Sequence, residues 1–149
     1  MPDKPCVFAV AAHPDDIEFM MSGTMMLLRE RGWDLHYMNI ANGSCGTAVD
    51  PPEVIVPKRR AEAVDACELI GATFHESICN DLEVYYTYEQ VAQVLAVVRR
   101  IKPTIMLVQS PQDYMEEHQN ATRLAVTAAF CRGMRNYTSA PPVAPIEGD

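Results

Sequence analysis

The chain has 149 residues, of which 48% are hydrophobic and 21% charged, a balance typical of one globular domain with a single core. Its formal charge of -8, from 20 acidic and 12 basic residues, argues against nonspecific binding to nucleic acid or anionic lipid, which needs clustered lysine and arginine. No stretch reaches the roughly 18 apolar residues that span a bilayer, and the chain shows no secretory leader, so we expect a cytoplasmic protein without a membrane span.

The first predicted strand and helix are joined by an acidic turn. Residues 6–12, CVFAVAA, form a continuous apolar run that predicts a strand buried on both faces. Pro14 disfavours helical geometry at His13, so the chain turns there. A helix is then predicted over residues 15–31, closed by Gly32.

The middle of the chain predicts a strand, a long loop and an amphipathic helix. The strand covers residues 34–41, and residues 44–57 form a loop that is long for a compact domain. A helix follows over residues 58–70 and ends at Gly71. The basic residues 58–60 are interpreted as part of its solvated face, as are residues 99–100 in the next helix.

The last part of the chain repeats the alternation of strand and helix. Strands are predicted over residues 72–77 and 104–109, and helices over 88–101 and from about 117 to 130. Together these elements predict an α/β protein: a Rossmann-like three-layer αβα sandwich with a mostly parallel sheet. The proline-rich segment 139–149 is interpreted as a tail or linker after a domain of residues 1–138.

Four ionisable side chains cluster where the first predicted strand ends. His13, Asp15, Asp16 and Glu18 lie within six residues, and such crowding of negative charge is unfavourable unless a cation or hydrogen bonds offset it. A helix N-cap is the simplest role for an aspartate at such a turn. Imidazole and carboxylate are also usual zinc ligands, but a catalytic zinc needs a third protein ligand.

His118 is the third ligand that the sequence offers. If the strand at residues 104–109 pairs with the first strand, on the side opposite the second strand, His118 reaches the same switch point as His13 and Asp16. Two histidines and one aspartate leave a fourth position for a water whose pKa the metal lowers, with Asp15 as general base. Magnesium or manganese on the carboxylates is the alternative, but two histidines favour zinc.

The strings AHPDDIE, IANGSCG and RRAEAVDACELIGA, with the acidic segment ending at His118, resemble the LmbE-like (PIG-L) family over essentially the whole chain. Members are zinc-dependent deacetylases of N-acetylglucosamine conjugates. The resemblance implies that His13, Asp16 and His118 bind zinc and that Asp15 activates the attacking water. It also implies a site at the carboxyl ends of the first and fourth strands.

The resemblance further implies substrate contacts. Arg59, with Arg60 as the alternative, would face the sugar hydroxyls, and Asp81 would be a substrate-side acid. The chain departs from the family at Met115, where a histidine that stabilises the oxyanion or protonates the leaving amine is usual. Glu117 is expected to orient His118, and Glu18 to support the ligands.

The expected function is therefore removal of an N-acetyl or other N-acyl group from a small amino-sugar conjugate. A zinc amidase acting on a non-sugar or thiol conjugate, and a catalytically weakened metal- and sugar-binding module, remain as alternatives. Family members are usually longer, so the domain is expected to be incomplete at its C-terminus. Whether the chain forms a homo-oligomer stays open. His36 and His75, within predicted strands, are expected to be structural, and Cys6 and Cys67 to be core residues.

Overall fold

The computed structural model describes residues 4–147. Residues 1–3 of the predicted domain and residues 148–149 of the proline-rich segment lie outside it. In chain order, the elements are β1 (Cys6–Ala11), α1 (Asp16–Met20), α2 (Ser22–Glu30), β2 (Asp34–Asn39), α3 (Pro52–Ile70), β3 (Ala72–His75), α4 (Tyr88–Ile101), β4 (Ile105–Val108) and α5 (Glu116–Phe130). The predicted alternation of strand and helix is confirmed.

The four strands form one parallel sheet in the order β3-β2-β1-β4. The strand β4 pairs with β1 on the side away from β2, with Val7 opposite Ile105 and Val10 opposite Val108. The strand order therefore reverses between β1 and β4, as the sequence predicted. Ligand sites of open parallel sheets lie beyond the carboxyl ends of the strands at such a point.

Helices cover both faces of the sheet, so β1 is completely enclosed. On one face, Val7, Ala9 and Ala11 pack into a core with residues of α1, α2 and α3. On the other face, Phe8 and Val10 pack against α4 and α5. Every residue of β1 is at most 4% exposed, so the turn that follows this strand starts from a firmly anchored backbone.

Two helix boundaries differ from the predicted ones. The first predicted helix is divided at Met21 into α1 and α2. The third helix begins at Pro52, so the loop predicted over residues 44–57 is shorter, and the expectation that the helix starts after Pro57 was wrong. Pro52 suits the first turn of a helix, because N–H groups in that turn have no acceptor within the helix and the loss of one costs no hydrogen bond. Pro57 removes only one hydrogen bond of a 19-residue helix, in an exposed early turn.

The segment after α5 packs against α4 through a buried arginine. Arg99 is 3% exposed, and its guanidinium donates to four main-chain carbonyls, those of Cys131, Arg132, Met134 and Val143. The amide of Ala140 also donates to the carbonyl of Ala92 in α4. The interpretation of Arg99 as part of a solvated face was therefore wrong, and Ala140 and Val143 of the proline-rich segment are hydrogen-bonded to residues of α4.

Cys6 and Cys67 are 4% and 2% exposed, which confirms that they are core residues. Within the described range, no helix combines the length and the hydropathy needed to cross a membrane.

Candidate metal centre

Two adjacent strands deliver the three predicted metal ligands to one place. His13 lies in the turn after β1, and Asp16 is the first residue of α1. His118 is the third residue of α5, which follows β4. Because β1 and β4 are parallel neighbours, their carboxyl ends lie side by side, and the turn and the helix start meet there.

The ligand atoms converge closely enough to hold one ion. The Nδ1 atom of His13 and the Nε2 atom of His118 each lie 3.5 Å from Oδ2 of Asp16. One ligand atom from each residue can be chosen so that all three lie within 4.8 Å of one another. Ligands of a tetrahedral zinc with bonds of about 2.0–2.1 Å are about 3.3 Å apart, so this set fits zinc.

Each histidine has a carboxylate behind it. Nε2 of His13, the nitrogen facing away from Asp16, lies 2.7 Å from Oε2 of Glu117. Nδ1 of His118 lies 3.2 Å from Oδ1 of Asp113. Carboxylates in this position orient metal-binding imidazoles and leave the inner nitrogen free to bind. The expectation that Glu117 orients His118 was wrong: Glu117 holds His13, and Asp113 is the neighbour of His118.

The charges of the centre are strongly coupled. Burial opposes protonation of His13, but the carboxylates of Asp16 and Glu117 raise its pKa to about 9. Burial also opposes ionisation of Asp16, but hydrogen bonds from the side chain and backbone of His13 lower its pKa overall. The two carboxylates around His13 therefore favour positive charge at this point of the centre.

Asp15 lies beside the centre without being part of it. Its backbone has a φ of 92°, and its side chain makes no capping hydrogen bond, so the simple N-cap role is excluded. The carboxylate is half-exposed, and its Oδ2 accepts from the Arg59 guanidinium at 2.7 Å. The same guanidinium nitrogen donates to the carbonyl of Pro14 at 2.6 Å. Arg59 thus binds both the Pro14 carbonyl and the Asp15 carboxylate in the turn after β1.

A loop between β2 and α3 packs against Arg59. Gly43 has a φ of 81°, and a Cβ added to it would lie 2.9 Å from Cγ of Arg59. Asp81 fastens this loop, because its carboxylate accepts from the amides of Gly43 and Cys45 at 2.7 and 2.8 Å. Both carboxylate oxygens of Asp81, the expected substrate-side acid, therefore have protein partners.

These residues line one cavity of about 430 Å³. It contains all six predicted site residues: His13, Asp15, Asp16, Arg59, Asp81 and His118. Tyr114, Met115 and Leu82 complete its rim. The Tyr114 side chain is 91% exposed, and its ring centre lies 6.0 Å from that of His118. Met115, where the resemblance implies a histidine, is among the residues that line the cavity.

The remaining ionisable candidates lie elsewhere. The carboxylate of Glu18, expected to support the ligands, instead accepts from the Tyr37 hydroxyl at 2.8 Å. His36 and His75 bond each other, with Nδ1 of the first 3.0 Å from Nε2 of the second. Burial and the neighbouring His36 lower the pKa of His75 to about 4, which suits a neutral structural pair.

A family model described as PIG-L, GlcNAc-PI de-N-acetylase, matches residues 8–130, and the chain belongs to this family. It is 28% identical to a diacetylchitobiose deacetylase of Thermococcus kodakarensis, over 95% of this chain and 55% of that protein. It is 26% identical to a 4-oxalmesaconate hydratase of Pseudomonas putida, over 93% of this chain and 59% of that one. The predicted resemblance is thereby confirmed.

The fold is also that of solved family structures. An N,N'-diacetylchitobiose deacetylase from Pyrococcus horikoshii superposes with a TM-score of 0.84 and 23% identity, over 91% of this chain and 53% of that one. The chain thus spans little more than half the length of the proteins it matches.

Proposed function

We propose that this chain is a zinc-dependent hydrolase that removes an N-acetyl or other N-acyl group from a small amino-sugar conjugate. The observation that carries the proposal is the convergence of His13, Asp16 and His118 beside the half-exposed carboxylate of Asp15. The description of the family and the name of the Thermococcus relative support an N-acetylated sugar as the substrate.

In this proposal His13, Asp16 and His118 hold the ion, which when bound supplies Lewis-acid activation of a water and of the amide carbonyl. Asp15 accepts the proton of the attacking water at its carboxylate. Glu117 keeps the imidazole of His13 in the tautomer that leaves Nδ1 free for the ion, and the carboxylate of Asp113 lies 3.2 Å from Nδ1 of His118.

Arg59 is a positioning residue in this scheme. Its guanidinium fixes the carboxylate of Asp15 through the contact described above, so the base cannot turn away into solvent. The predicted contacts of Arg59 and Asp81 with sugar hydroxyls remain predictions, since both side chains already serve the protein. The exposed Tyr114 and Leu82 form the part of the rim that a sugar ring would meet first.

Amide cleavage also needs a proton for the leaving amine. Met115 cannot supply it, because a thioether carries no ionisable proton. We assign that step to Asp15, which takes the proton of the water and returns it to the amide nitrogen. The bond between the carbonyl carbon and nitrogen then breaks, giving a carboxylic acid and a free amine, and the acid loses its proton to solvent.

The five free cysteines support a reducing compartment, and we propose the cytoplasm. We further propose that residues 1–138 form the deacetylase domain. Homo-oligomerisation remains a prediction.

The test measures release of free amine from a panel of N-acetylglucosaminides by zinc-loaded protein. Asp15→Asn should abolish release while zinc content stays near one ion per chain. Retention of full activity in Asp15→Asn would contradict the assigned base. A matched variant, Asp50→Asn in the loop before α3, should leave both activity and zinc unchanged.

The Pseudomonas relative favours a second candidate, addition of water to a double bond. Hydration has no leaving amine, so the absence of a proton donor at Met115 would matter less. The two candidates are separated by assaying the same zinc-loaded protein for amine release and for hydration of unsaturated carboxylates. Hydration without amine release would replace the deacetylase proposal.

A further inference from the structure

Leu82 adopts an unfavourable backbone conformation at the rim of the metal-site cavity. Its φ is 65°, in the left-handed region that residues with a side chain rarely adopt. It occupies the third position of a β-turn, in which the amide of Glu83 donates to the carbonyl of Asn80 at 3.2 Å. Turns with a positive φ at this position usually have glycine or asparagine there. Leucine therefore makes this turn less stable than either of those residues would.

Packing within the protein does not offset this strain. Leu82 is 67% exposed, so little of its side chain is removed from water. Within residues 4–147, the other non-glycine residues with a positive φ are Asp15 and Lys102. Lys102 ends α4, where a left-handed residue is common. Asp15 and Leu82 end no helix, and both line the metal-site cavity.

Hydrogen bonds fix the residue before Leu82. The carboxylate of Asp81 accepts from the amides of Gly43 and Cys45, as described above. The amide of Asp81 donates to Oγ of Ser44, in the same loop, at 3.0 Å. This side of the turn is therefore bound through both its main chain and its side chain.

The helix α5 fixes the other side of the turn. Val84, two residues after Leu82, is 2% exposed. Its amide donates to Oε1 of Glu117 at 3.2 Å, and its carbonyl accepts from Nδ2 of Asn120 at 3.0 Å. Glu117 and Asn120 lie on either side of the metal ligand His118 in the sequence of α5. Hydrogen bonds on both sides thus determine where Leu82 lies relative to the metal ligands.

The rim around Leu82 is largely apolar, whereas the floor of the cavity is charged. Tyr114 and Met115 also line the rim, and Tyr114 is 91% exposed. A substrate whose amide reaches the metal ligands at the floor would pass between these side chains. Its outer part would then meet apolar surface, and contact with an apolar group would remove that surface from water.

We propose that Leu82 is a specificity-determining residue that contacts an apolar group of the substrate at the rim of the cavity. The preferred substrates are N-acylated amino-sugar conjugates that carry such a group. The group is either part of the substituent linked to the sugar or an acyl chain longer than acetyl. This inference rests on the proposed function, because it takes the metal centre as the place of the amide.

The test compares ligands that differ in one apolar group. Phenyl N-acetylglucosaminide is compared with the methyl glycoside, and N-butanoylglucosamine with N-acetylglucosamine. Calorimetry on zinc-loaded Asp15→Asn protein measures their binding without turnover. We expect the larger ligand of at least one pair to bind about fourfold more tightly, the scale of one buried methylene group.

Two variants of Leu82 test whether this residue causes the preference. Leu82→Asn replaces the apolar side chain with a polar one, and Leu82→Gly removes it. Added to the Asp15→Asn protein, both should abolish the preference while zinc content stays unchanged. If both pairs of ligands bind with the same affinity ratios in these variants as in their parent, the proposal is overturned. The same holds if the parent shows no preference in either pair.

Thermal unfolding separates this role from a structural one. Asparagine and glycine both suit a positive φ, so neither replacement should lower the unfolding temperature. Lys102→Gly is the matched control, because Lys102 also has a positive φ but does not line the cavity. It should keep both the unfolding temperature and the preference. Loss of the preference in Lys102→Gly would contradict a direct contact of Leu82 with the ligand.

The two pairs of ligands identify where the apolar group lies. If the Leu82 variants abolish only the preference for the phenyl glycoside, Leu82 contacts the substituent linked to the sugar. If they abolish only the preference for butanoyl, it contacts the acyl chain.

Amine release by protein that retains Asp15 tests the proposed function separately. Release, together with affinity ratios that the Leu82 variants do not change, would support the function and overturn this inference. Ratios that depend on Leu82, without any release, would do the reverse.

Discussion

The floor and the rim of the metal-site cavity are built in opposite ways. At the floor, the side chains of His13, Asp16 and His118 are between 8 and 17% exposed, and each histidine has a carboxylate behind it. At the rim, the Asp15 side chain is 50% exposed and Tyr114 is 91% exposed. The ends of two adjacent parallel strands position the floor, whereas the rim depends on loops. In the proposed function, ion binding would therefore depend on the fold, and reactivity on a few side chains of the rim.

The largest expected effect is loss of the ion from the floor. His13→Ala or His118→Ala leaves two protein ligands, and we expect zinc content to fall from about one ion per chain to a background level in metal analysis. Glu116→Ala, at an exposed neighbouring position, is the matched control and should keep its zinc. Full zinc occupancy in both histidine variants would refute the ligand assignment.

A smaller effect on zinc binding is expected from the carboxylates next to the two histidines. Glu117→Gln should weaken zinc binding by about 10–100-fold, because carboxylates that orient ligating imidazoles contribute on that scale. Asp113→Asn should weaken it less, since the contact of Asp113 with His118 is 3.2 Å against 2.7 Å for Glu117 with His13. Competition with a chelator measures both, and the reverse order would mean that Glu117 serves mainly the fold.

At the rim, Gly43→Ala should lower activity without loss of zinc. The added Cβ would meet Arg59 and adopt an unfavourable φ, so Arg59 should shift and release Asp15. We expect about a tenfold fall in kcat/KM, the scale of a displaced catalytic group. Gly23→Ala, within α2 and with no neighbouring atom within 4 Å, is the control and should leave activity intact. Zinc loss in Gly43→Ala would show that floor and rim are not independent.

The smallest effect concerns the proton donor. Met115→His should raise kcat for amide cleavage severalfold, because an imidazole at this position can share the proton transfer that we assign to Asp15 alone. Met115→Leu keeps the apolar character and should leave kcat unchanged. A fall in both variants would indicate that methionine itself contacts the substrate.

The sequence predicted those features that depend on local pattern or on strand order. The apolar runs located β1 and β4, and the reversal of strand order between them placed His118 beside His13. The sequence could not predict side-chain contacts that depend on how a helix is rotated about its own axis. Glu117 precedes His118 in the chain, but on a helix adjacent residues point about 100° apart. Glu117 therefore points towards His13, which follows the neighbouring strand β1. The spacing of these two residues in the sequence does not predict this contact.

Other contacts that the sequence did not predict depend on the path of distant parts of the chain. The pattern around Arg99 is that of an amphipathic helix with a basic end, and only the path of the chain after α5 buries that guanidinium. Asp81 accepts hydrogen bonds from Gly43 and Cys45, which lie 36 or more residues away in the chain, and the sequence did not predict these contacts. Long-range contacts of this kind leave no periodic signal in the sequence.

The positive φ of Asp15 has a consequence for the stability of the turn after β1. A φ of 92° is unfavourable for any residue with a side chain, and glycine would adopt it with less strain. Selection for thermal stability alone would favour glycine at this position. An aspartate here places a carboxylate at the cavity and makes the turn less stable than glycine would. Variants screened only for heat resistance are therefore expected to lose this residue early, and with it the carboxylate at the cavity.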